Sequence, residues 1–134
     1  KKLNPIRAVV VGKKIAVVDD SIVRGTTSKR IVQTLKNAGA AEVYFISSAP
    51  PITNPCVYGI DMAITTELIA SQKTEEEICE YIGADALIYQ TLEDLKSLFT
   101  EMPGCYACFS GQYPTANSED VLLAVEKERM AAKF

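Results

Sequence analysis

Apolar and polar positions alternate along the first third of the chain in a way that predicts a strand, a helix and a second strand. Residues 13–19 contain a continuous apolar run and end in acidic residues, which is typical of a strand buried on both faces. From Thr26 the apolar residues recur with the helical period, and Gly39 follows as the expected left-handed residue after the helix. Residues 43–46 are β-branched or aromatic and predict the second strand. A strand, a helix and a strand within about 30 residues form a βαβ unit, so the two strands should be parallel.

The rest of the pattern predicts short helices around a third strand. Residues 49–62 contain three prolines and a glycine and should be irregular. The third strand is expected at residues 86–89, and a further loop at 103–114. Helices are expected at 65–70, at 74–83 with a Thr74–Glu77 capping box, at 91–100 with Thr91 and Asp94 at its start, and from residue 117 or 118 onward. Since α/β sheets usually have about five or six strands, we expect the sequence to be part of a larger sheet or to pair with one.

Composition and charge narrow the classes of function. The 134 residues suit about one domain, and 48% hydrophobic with 23% charged residues is ordinary for a soluble globular protein. A net charge of −3 argues against non-specific binding of nucleic acid or anionic membranes, so an anionic ligand must be held by local geometry. No apolar run approaches the roughly 20 residues that span a bilayer, and residues 1–5 lack a signal-peptide core, so we expect a cytoplasmic protein. The absence of histidine excludes Ser–His and Cys–His nucleophile pairs within this sequence.

An acidic pair, Asp19 and Asp20, stands where the first strand should end. Open α/β sheets bind ligands at the carboxyl ends of their strands. Two adjacent carboxylates repel each other, and ribose hydroxyls or a Mg²⁺ ion would compensate for that repulsion. The structural alternative is that the pair, with the Ser and Thr residues after it, only caps the next helix.

The segment that follows the acidic pair, residues 21–27, predicts a phosphate-binding loop. Backbone N–H groups point outward at a helix start, and the helix dipole favours an anion there. Gly25 lacks a side chain that would block close approach, and Thr26 and Thr27 add hydroxyl groups. Together the two segments predict a ribose 5-phosphate site, with the ribose on the acidic pair and the phosphate on the loop.

This region resembles a known family. The run Val18-Asp19-Asp20-Ser21-Ile22-Val23-Arg24-Gly25-Thr26-Thr27 is similar to the phosphoribosyl pyrophosphate motif of type I phosphoribosyltransferases, and most similar to that of the amidophosphoribosyltransferase family. Further segments fit as well, at residues 2–7, 50–52, 55–61, 77–85 and 105–111. The resemblance implies an α/β fold: a parallel-sheet, Rossmann-like type I transferase core, here partial, with a C-terminal helical extension.

The resemblance also implies chemistry. Enzymes of this family make 5-phosphoribosylamine from phosphoribosyl pyrophosphate and glutamine-derived ammonia in de novo purine synthesis, with Mg²⁺ neutralising the departing pyrophosphate. Carried over to this sequence, Asp19 and Asp20 hold the ribose hydroxyls and the Mg²⁺ environment. The 5-phosphate of phosphoribosyl pyrophosphate or of a nucleotide is bound by Ser21, Arg24, Gly25, Thr26 and Thr27. No catalytic residue is assigned.

The sequence also departs from the family pattern. The glutaminase domain with its N-terminal cysteine nucleophile is absent, as are the earlier transferase strands and the pyrophosphate loop; Lys2 is expected to be the last trace of the flexible lid. We therefore expect residues 1–134 to be the C-terminal part of a transferase domain, as a fragment, a split subunit or a subdomain. It would need the missing half for the overall reaction and would form a homo-oligomer when intact.

The cysteines suggest a metal site. Cys105 and Cys108 form a Cys-x-x-Cys pair in a predicted loop, which argues against a thioredoxin-like redox pair and lets two thiolates reach one metal. The resemblance implies a [4Fe–4S] cluster on Cys56, Cys105 and Cys108, with its fourth ligand outside this sequence. Cys79 is expected to be a core thiol. A Cys₄ zinc site that includes Cys79, or three buried or idle thiols, are the alternatives.

Two other protein classes share parts of the pattern. Response-regulator receiver domains have a similar acidic pair that binds Mg²⁺ beside a phosphoacceptor aspartate, for which Asp61 is the candidate here. Pro55 and Gly59 before it are poor residues for a central strand, and the Gly-Thr-Thr loop has no role in that scheme. A non-catalytic sensor of phosphoribosyl pyrophosphate, like some purine repressors of this fold, would need a DNA-binding element, and the acidic charge argues against one.

Overall fold

The computed structural model describes residues 4–60, 64–101 and 104–131. The strands are Lys14–Asp19 (β1), Glu42–Ser47 (β2) and Ala86–Tyr89 (β3). The helices are Arg7–Val10 (α1), Thr26–Asn37 (α2), Ile69–Gln72 (α3), Glu75–Ile82 (α4), Leu92–Ser97 (α5), Ala107–Ser110 (α6) and Ser118–Ala131 (α7), and a 3-10 turn at Thr65–Glu67 precedes α3. None of these helices is long and apolar enough to cross a membrane.

The three strands form one parallel sheet in the order β1-β2-β3. The register aligns Asp19 with Ser47 and Ser47 with Tyr89. The strands therefore end at the same edge of the sheet, and the segments that follow β1 and β2 start side by side. The predicted βαβ unit and the α/β class with a parallel sheet are confirmed.

Local sequence signals account for the helix boundaries. The α4 helix begins with the predicted capping box, in which the backbone N–H of Glu77 donates to Thr74 Oγ1 over 3.3 Å and that of Thr74 donates to Glu77 Oε2 over 2.9 Å. At the start of α5, the N–H of Asp94 donates to Thr91 Oγ1. After α2, Gly39 has the left-handed φ of 98° that the sequence predicts. The short helices α1 and α6 were not predicted, and in place of the single helix expected at 65–70 the structure has the 3-10 turn Thr65–Glu67 followed by α3. Single turns of three or four residues carry little periodic signal.

One apolar core lies between the sheet and the helices α2 and α4. Phe45 and Val43 of β2 are fully buried at its centre. Each fully buried side chain of this size contributes about 1.5–3 kcal/mol through the hydrophobic effect. The buried residues of this core are Ile22, Val32, Val43, Phe45, Ile69, Ile78 and Ile82. Ile22 belongs to the loop after β1, so this core also holds the segment that carries the candidate site.

The prediction that β1 is buried on both faces is wrong for the described residues. The helices α2 and α4 cover the face that bears Val17 and Phe45, whereas Val18 on the opposite face is 68% exposed. Ile88, in the same row across the sheet, is 52% exposed. Within the described ranges β1 also pairs on one side only. A continuous apolar run is typical of parallel strands, but it does not say which elements cover them.

Candidate functional site

The loop between β1 and α2 is held in place by the core beneath it. Ile22 is 1% exposed and packs in the main core. The carbonyl of Val23 accepts a hydrogen bond from the backbone N–H of Ile69 over 2.9 Å, which joins the loop to the start of α3. At the other end of the loop, the carbonyl of Asp19 accepts hydrogen bonds from the N–H and the hydroxyl of Ser48, each at 2.9 Å. The loop backbone is therefore tied to the sheet, the core and α3.

Gly25 ends this loop in a conformation that only glycine adopts readily. Its φ is 72°, in the left-handed region. A β-carbon at this position would lie 2.9 Å from Ile69 Cδ1 and 3.1 Å from Tyr81 Cε1, so Gly25 also lets the backbone pack closely on α3 and α4. The sequence predicted a glycine for ligand approach, whereas the structure shows that its missing side chain faces the protein.

The N-terminus of α2 follows directly and has the properties of an anion site. Within the described chain no side chain caps this helix, and its first turn contains no acidic residue. Thr26 and Thr27 are exposed there. In a 12-residue helix, the first-turn N–H groups and the helix dipole together favour a bound anion. The predicted phosphate loop therefore has suitable geometry at these two residues and Gly25.

The acidic pair lies at the carboxyl edge of the sheet, as predicted. The backbone N–H of Asp20 donates to Asp19 Oδ1 over 3.1 Å, and the hydroxyl of Ser21 donates to Asp20 Oδ1 over 2.9 Å. Asp20 is exposed and Asp19 is half-buried. Ser21 thus contacts the acidic pair in this structure. The two carboxylates remain accessible to hydroxyl groups or to a hard cation such as Mg²⁺, which prefers oxygen ligands.

Arg24 is the site residue whose surroundings differ most from the sequence expectation. Its Nε and Nη2 atoms both donate to Oε2 of Glu67, at 3.1 Å and 2.7 Å. Glu67 ends the 3-10 turn before α3 and was not expected to belong to the site. The two residues are 43 positions apart, so no local pattern in the sequence signals this contact.

A cleft of about 670 Å³ lies beside the loop. Its lining brings together residues of both candidate sites: Asp20, Ser21, Arg24, Cys56, Cys105 and Cys108. Gly25, Thr26 and Thr27 are not among the residues that line it, so the cleft itself does not include the N-terminus of α2. The cleft therefore connects the acidic side of the loop with the three cysteines.

The three cysteines share this cleft without forming a ready ligand set. In the described ranges, no group of three Cys, His, Asp or Glu residues is arranged to hold a metal ion. The backbone N–H of Tyr58 donates to Cys56 Sγ over 3.3 Å. Burial, and to a smaller extent the nearby Cys105 and Cys56, raises the pKa of the Cys108 thiol above its ordinary value. A bound metal would have to offset that burial, because the ligand form of cysteine is the thiolate.

Cys79 lies apart from the other cysteines. It lines a separate groove beside α4, and its Sγ donates to the carbonyl of Ala84 over 3.4 Å. Burial raises the pKa of the Cys79 thiol, as suits a structural thiol. A Cys₄ zinc site that includes Cys79 therefore finds no support in the described residues. Two other residues of the sequence hypotheses, Asp61 and Lys2, lie outside the described residues.

Known proteins resemble this chain over most of its length. No protein-family model matches it. The amidophosphoribosyltransferase of Methanocaldococcus jannaschii is 52% identical over 122 residues, which cover 90% of this chain and 26% of that protein. The amidophosphoribosyltransferase of Bacillus subtilis is 48% identical over 138 aligned residues, covering 98% of this chain and 29% of that protein.

Solved structures match the fold as well. Glutamine phosphoribosylpyrophosphate amidotransferase from B. subtilis, complexed with ADP and GMP, superimposes with a TM-score of 0.76 at 50% identity, covering 84% of this chain and 26% of that chain. A structure described as the allosteric regulatory enzyme of purine biosynthesis superimposes with a TM-score of 0.77 at 49% identity, covering 84% of this chain and 25% of that chain.

The parallel sheet and the loop after β1, with these matches, place the chain in the phosphoribosyltransferase class of α/β folds. Within that class the chain is homologous to the amidophosphoribosyltransferases, at about half sequence identity. It spans about a quarter of the length of the curated relatives that it matches. The family resemblance seen in the sequence is thereby confirmed for this segment.

Proposed function

We propose that the chain is the ribose-phosphate-binding part of an amidophosphoribosyltransferase. Such an enzyme makes 5-phosphoribosylamine from phosphoribosyl pyrophosphate and glutamine-derived ammonia in de novo purine synthesis. The observation that carries the proposal is the uncapped N-terminus of α2 behind Gly25, directly after an acidic pair at the carboxyl edge of a parallel sheet. We assign residues 1–134 to the C-terminal part of the transferase domain, and for the intact protein we propose a cytoplasmic location and a homo-oligomer.

The phosphate half of the site is formed by the helix start. The first-turn N–H groups of α2 donate to the phosphate oxygens, and the hydroxyls of Thr26 and Thr27 add further donors. The absence of acidic residues from this turn avoids repulsion of the phosphate. Because the B. subtilis relative is complexed with ADP and GMP, we propose that the loop accepts the 5-phosphate of nucleotides as well as that of phosphoribosyl pyrophosphate.

The ribose half of the site is formed by the acidic pair. The carboxylates of Asp19 and Asp20 accept hydrogen bonds from ribose hydroxyls, which fixes the sugar with C1 exposed to attack. Mg²⁺, when bound, would neutralise the charge of the leaving pyrophosphate, and these two residues supply the oxygen donors that it prefers. The hydroxyl of Ser21 holds Asp20 in place for this role.

We also propose that Cys56, Cys105 and Cys108 are three of the four ligands of a [4Fe–4S] cluster in the intact protein. All three line one cleft, and thiolates are the usual ligands of such clusters. Within the described chain these cysteines do not surround a single metal ion, but the thiolates of a [4Fe–4S] cluster each bind a different iron and need not converge on one point. We assign the cluster no step in the reaction.

Isothermal titration with ribose 5-phosphate tests the central proposal. The wild-type chain should bind, and the double variant Asp19→Asn with Asp20→Asn should bind at least about tenfold more weakly, because the loss of two charge-assisted hydrogen bonds removes more than about 1.4 kcal/mol. The matched control is Glu93→Gln with Glu101→Gln, which changes the net charge equally at two exposed positions that do not belong to the loop. Equal affinity of the Asp double variant and the wild-type chain would refute the site assignment.

A further inference from the structure

We infer that Arg24 and Glu67 are positioning residues for the phosphate loop, and that Arg24 is not itself a phosphate ligand. This inference rests on the proposed function, because it assigns roles within the same site. It differs from the role that the family resemblance implied for Arg24, which was a direct contact with the 5-phosphate.

The first observation is the geometry of the ion pair between Arg24 and Glu67. Two donors of the Arg24 guanidinium, Nε and Nη2, converge on a single oxygen of Glu67, at 3.1 Å and 2.7 Å. The guanidinium group is therefore directed toward the 3-10 turn Thr65–Glu67, in the segment before α3. Its charge is compensated by the adjacent carboxylate, so it adds little net attraction for an anion.

The second observation is that the segment from Glu67 to Ile69 contacts three consecutive residues of the loop. Glu67 binds Arg24, the N–H of Ile69 donates to the carbonyl of Val23 over 2.9 Å, and Ile69 Cδ1 lies 2.9 Å from where a β-carbon of Gly25 would be. These three residues lead directly into the first turn of α2. The place of the phosphate-binding N–H groups therefore depends on the segment from Glu67 to Ile69.

The exposure of the pair indicates what it contributes. The side chains of Arg24 and Glu67 are 55% and 25% exposed, and ion pairs at such positions add little to global stability. Their effect is instead local. By holding the loop in its binding geometry before the ligand arrives, the pair lowers the ordering cost of binding.

Titration of four chains with ribose 5-phosphate tests the inference: wild type, Arg24→Gln, Glu67→Gln and the double variant. If the pair positions the loop, each single variant binds about three- to tenfold more weakly, and the double variant binds no more weakly than the weaker single variant. If Arg24 binds the phosphate directly, Glu67→Gln leaves the affinity unchanged or raises it, because the guanidinium loses its competing partner. That second result would overturn the inference.

Two further measurements separate positioning from a general structural effect. Lys14→Gln breaks another exposed ion pair, to Glu42 at 2.9 Å, and should leave the affinity for ribose 5-phosphate unchanged. Without ligand, the amide NMR signals of Gly25 and Thr26 should shift in both Arg24→Gln and Glu67→Gln, and unshifted signals would contradict the inference. Failure of the wild-type chain to bind would instead overturn the proposed function, and the inference with it.

Discussion

The ring of Tyr81 packs against Gly25, so that a β-carbon at position 25 would lie 3.1 Å from Tyr81 Cε1. The same ring is covered by the ammonium group of Lys29, 4.5 Å from the ring centroid. The loop, α2 and α4 thus meet at one aromatic side chain. The need for glycine at position 25 therefore has two sources, the left-handed backbone and the packing of α4.

Gly25→Ala and Gly83→Ala separate these two sources. Both glycines have nearly the same φ, 72° and 75°, but a β-carbon at position 83 would meet nothing within 4 Å. We expect Gly83→Ala to lower the free energy of unfolding by about 1 kcal/mol, which is the backbone cost. Gly25→Ala should lower it by about 2–3 kcal/mol, because packing strain is added. Urea unfolding measures both values.

Binding of ribose 5-phosphate provides a second measurement on the two glycine variants. Gly25→Ala should also weaken ribose 5-phosphate binding, because the first turn of α2 must move, whereas Gly83→Ala should leave the affinity unchanged. Equal unfolding free energies for the two variants would show that the contact of Gly25 with α3 and α4 contributes nothing.

Stabilisation by added ligands should distinguish the ribose half of the site from the phosphate half. At a concentration of 100 times Kd, ribose 5-phosphate should raise the free energy of unfolding by about 2.7 kcal/mol. In the chain that carries Asp19→Asn and Asp20→Asn, the same concentration should give a smaller rise. Inorganic phosphate should stabilise both chains equally, since it needs only the helix N-terminus. A difference between the two chains in phosphate alone would contradict this division, and thermal melting detects it.

Asp85 should contribute to stability through one buried backbone group. Its Oδ2 accepts a hydrogen bond from the N–H of Val43 over 2.7 Å and lies 3.1 Å from Lys36 Nζ. Asp85→Ala removes this acceptor. Because Val43 is fully buried, its N–H is then left unpaired inside the protein. We expect a loss of about 1–3 kcal/mol in the free energy of unfolding. Asp85→Asn keeps an oxygen acceptor and should cost less, and Lys36→Ala should cost at most about 1 kcal/mol.

The carboxylate of Asp85 should also make the free energy of unfolding depend on pH. The hydrogen bond from Val43, followed by the contact with Lys36, lowers the pKa of Asp85 below its ordinary value. Because the native pKa is below the unfolded one, this contribution is present above the ordinary carboxyl pKa and is lost as the pH falls through the lowered value. Urea unfolding between neutral and acidic pH should show a shallower decline in Asp85→Asn than in wild type. Parallel declines would exclude this role.

Iron content tests the cysteine site. The intact protein, which includes the fourth ligand, should be brown when purified without oxygen and should contain iron and sulfide, and Cys108→Ser in it should lose them because one ligand is removed. Cys79→Ser is the matched control: it changes a cysteine outside the cleft and should keep the iron. Colourless wild-type protein, even after reconstitution, would count against the cluster.

The order and type of most elements could be predicted because their signals are local. The Thr74–Glu77 capping box and the Gly39 helix end depend on residues within a few positions of one another. The carboxyl-edge position of the acidic pair also follows from one strand and the helix after it. The exposure of Val18 could not be predicted, since an apolar side chain does not specify which element covers it.

The sequence by itself determined the parallel α/β unit, the place of Asp19 and Asp20 at its edge and the helix start at Thr26, because each depends on a short contiguous pattern. Only the tertiary structure decided the contacts between residues that are distant in the sequence. It turned Arg24 toward Glu67, placed Tyr81 against Gly25 and brought distant cysteines into one cleft. Such contacts join residues dozens of positions apart, so they arise only when the core brings separate elements together.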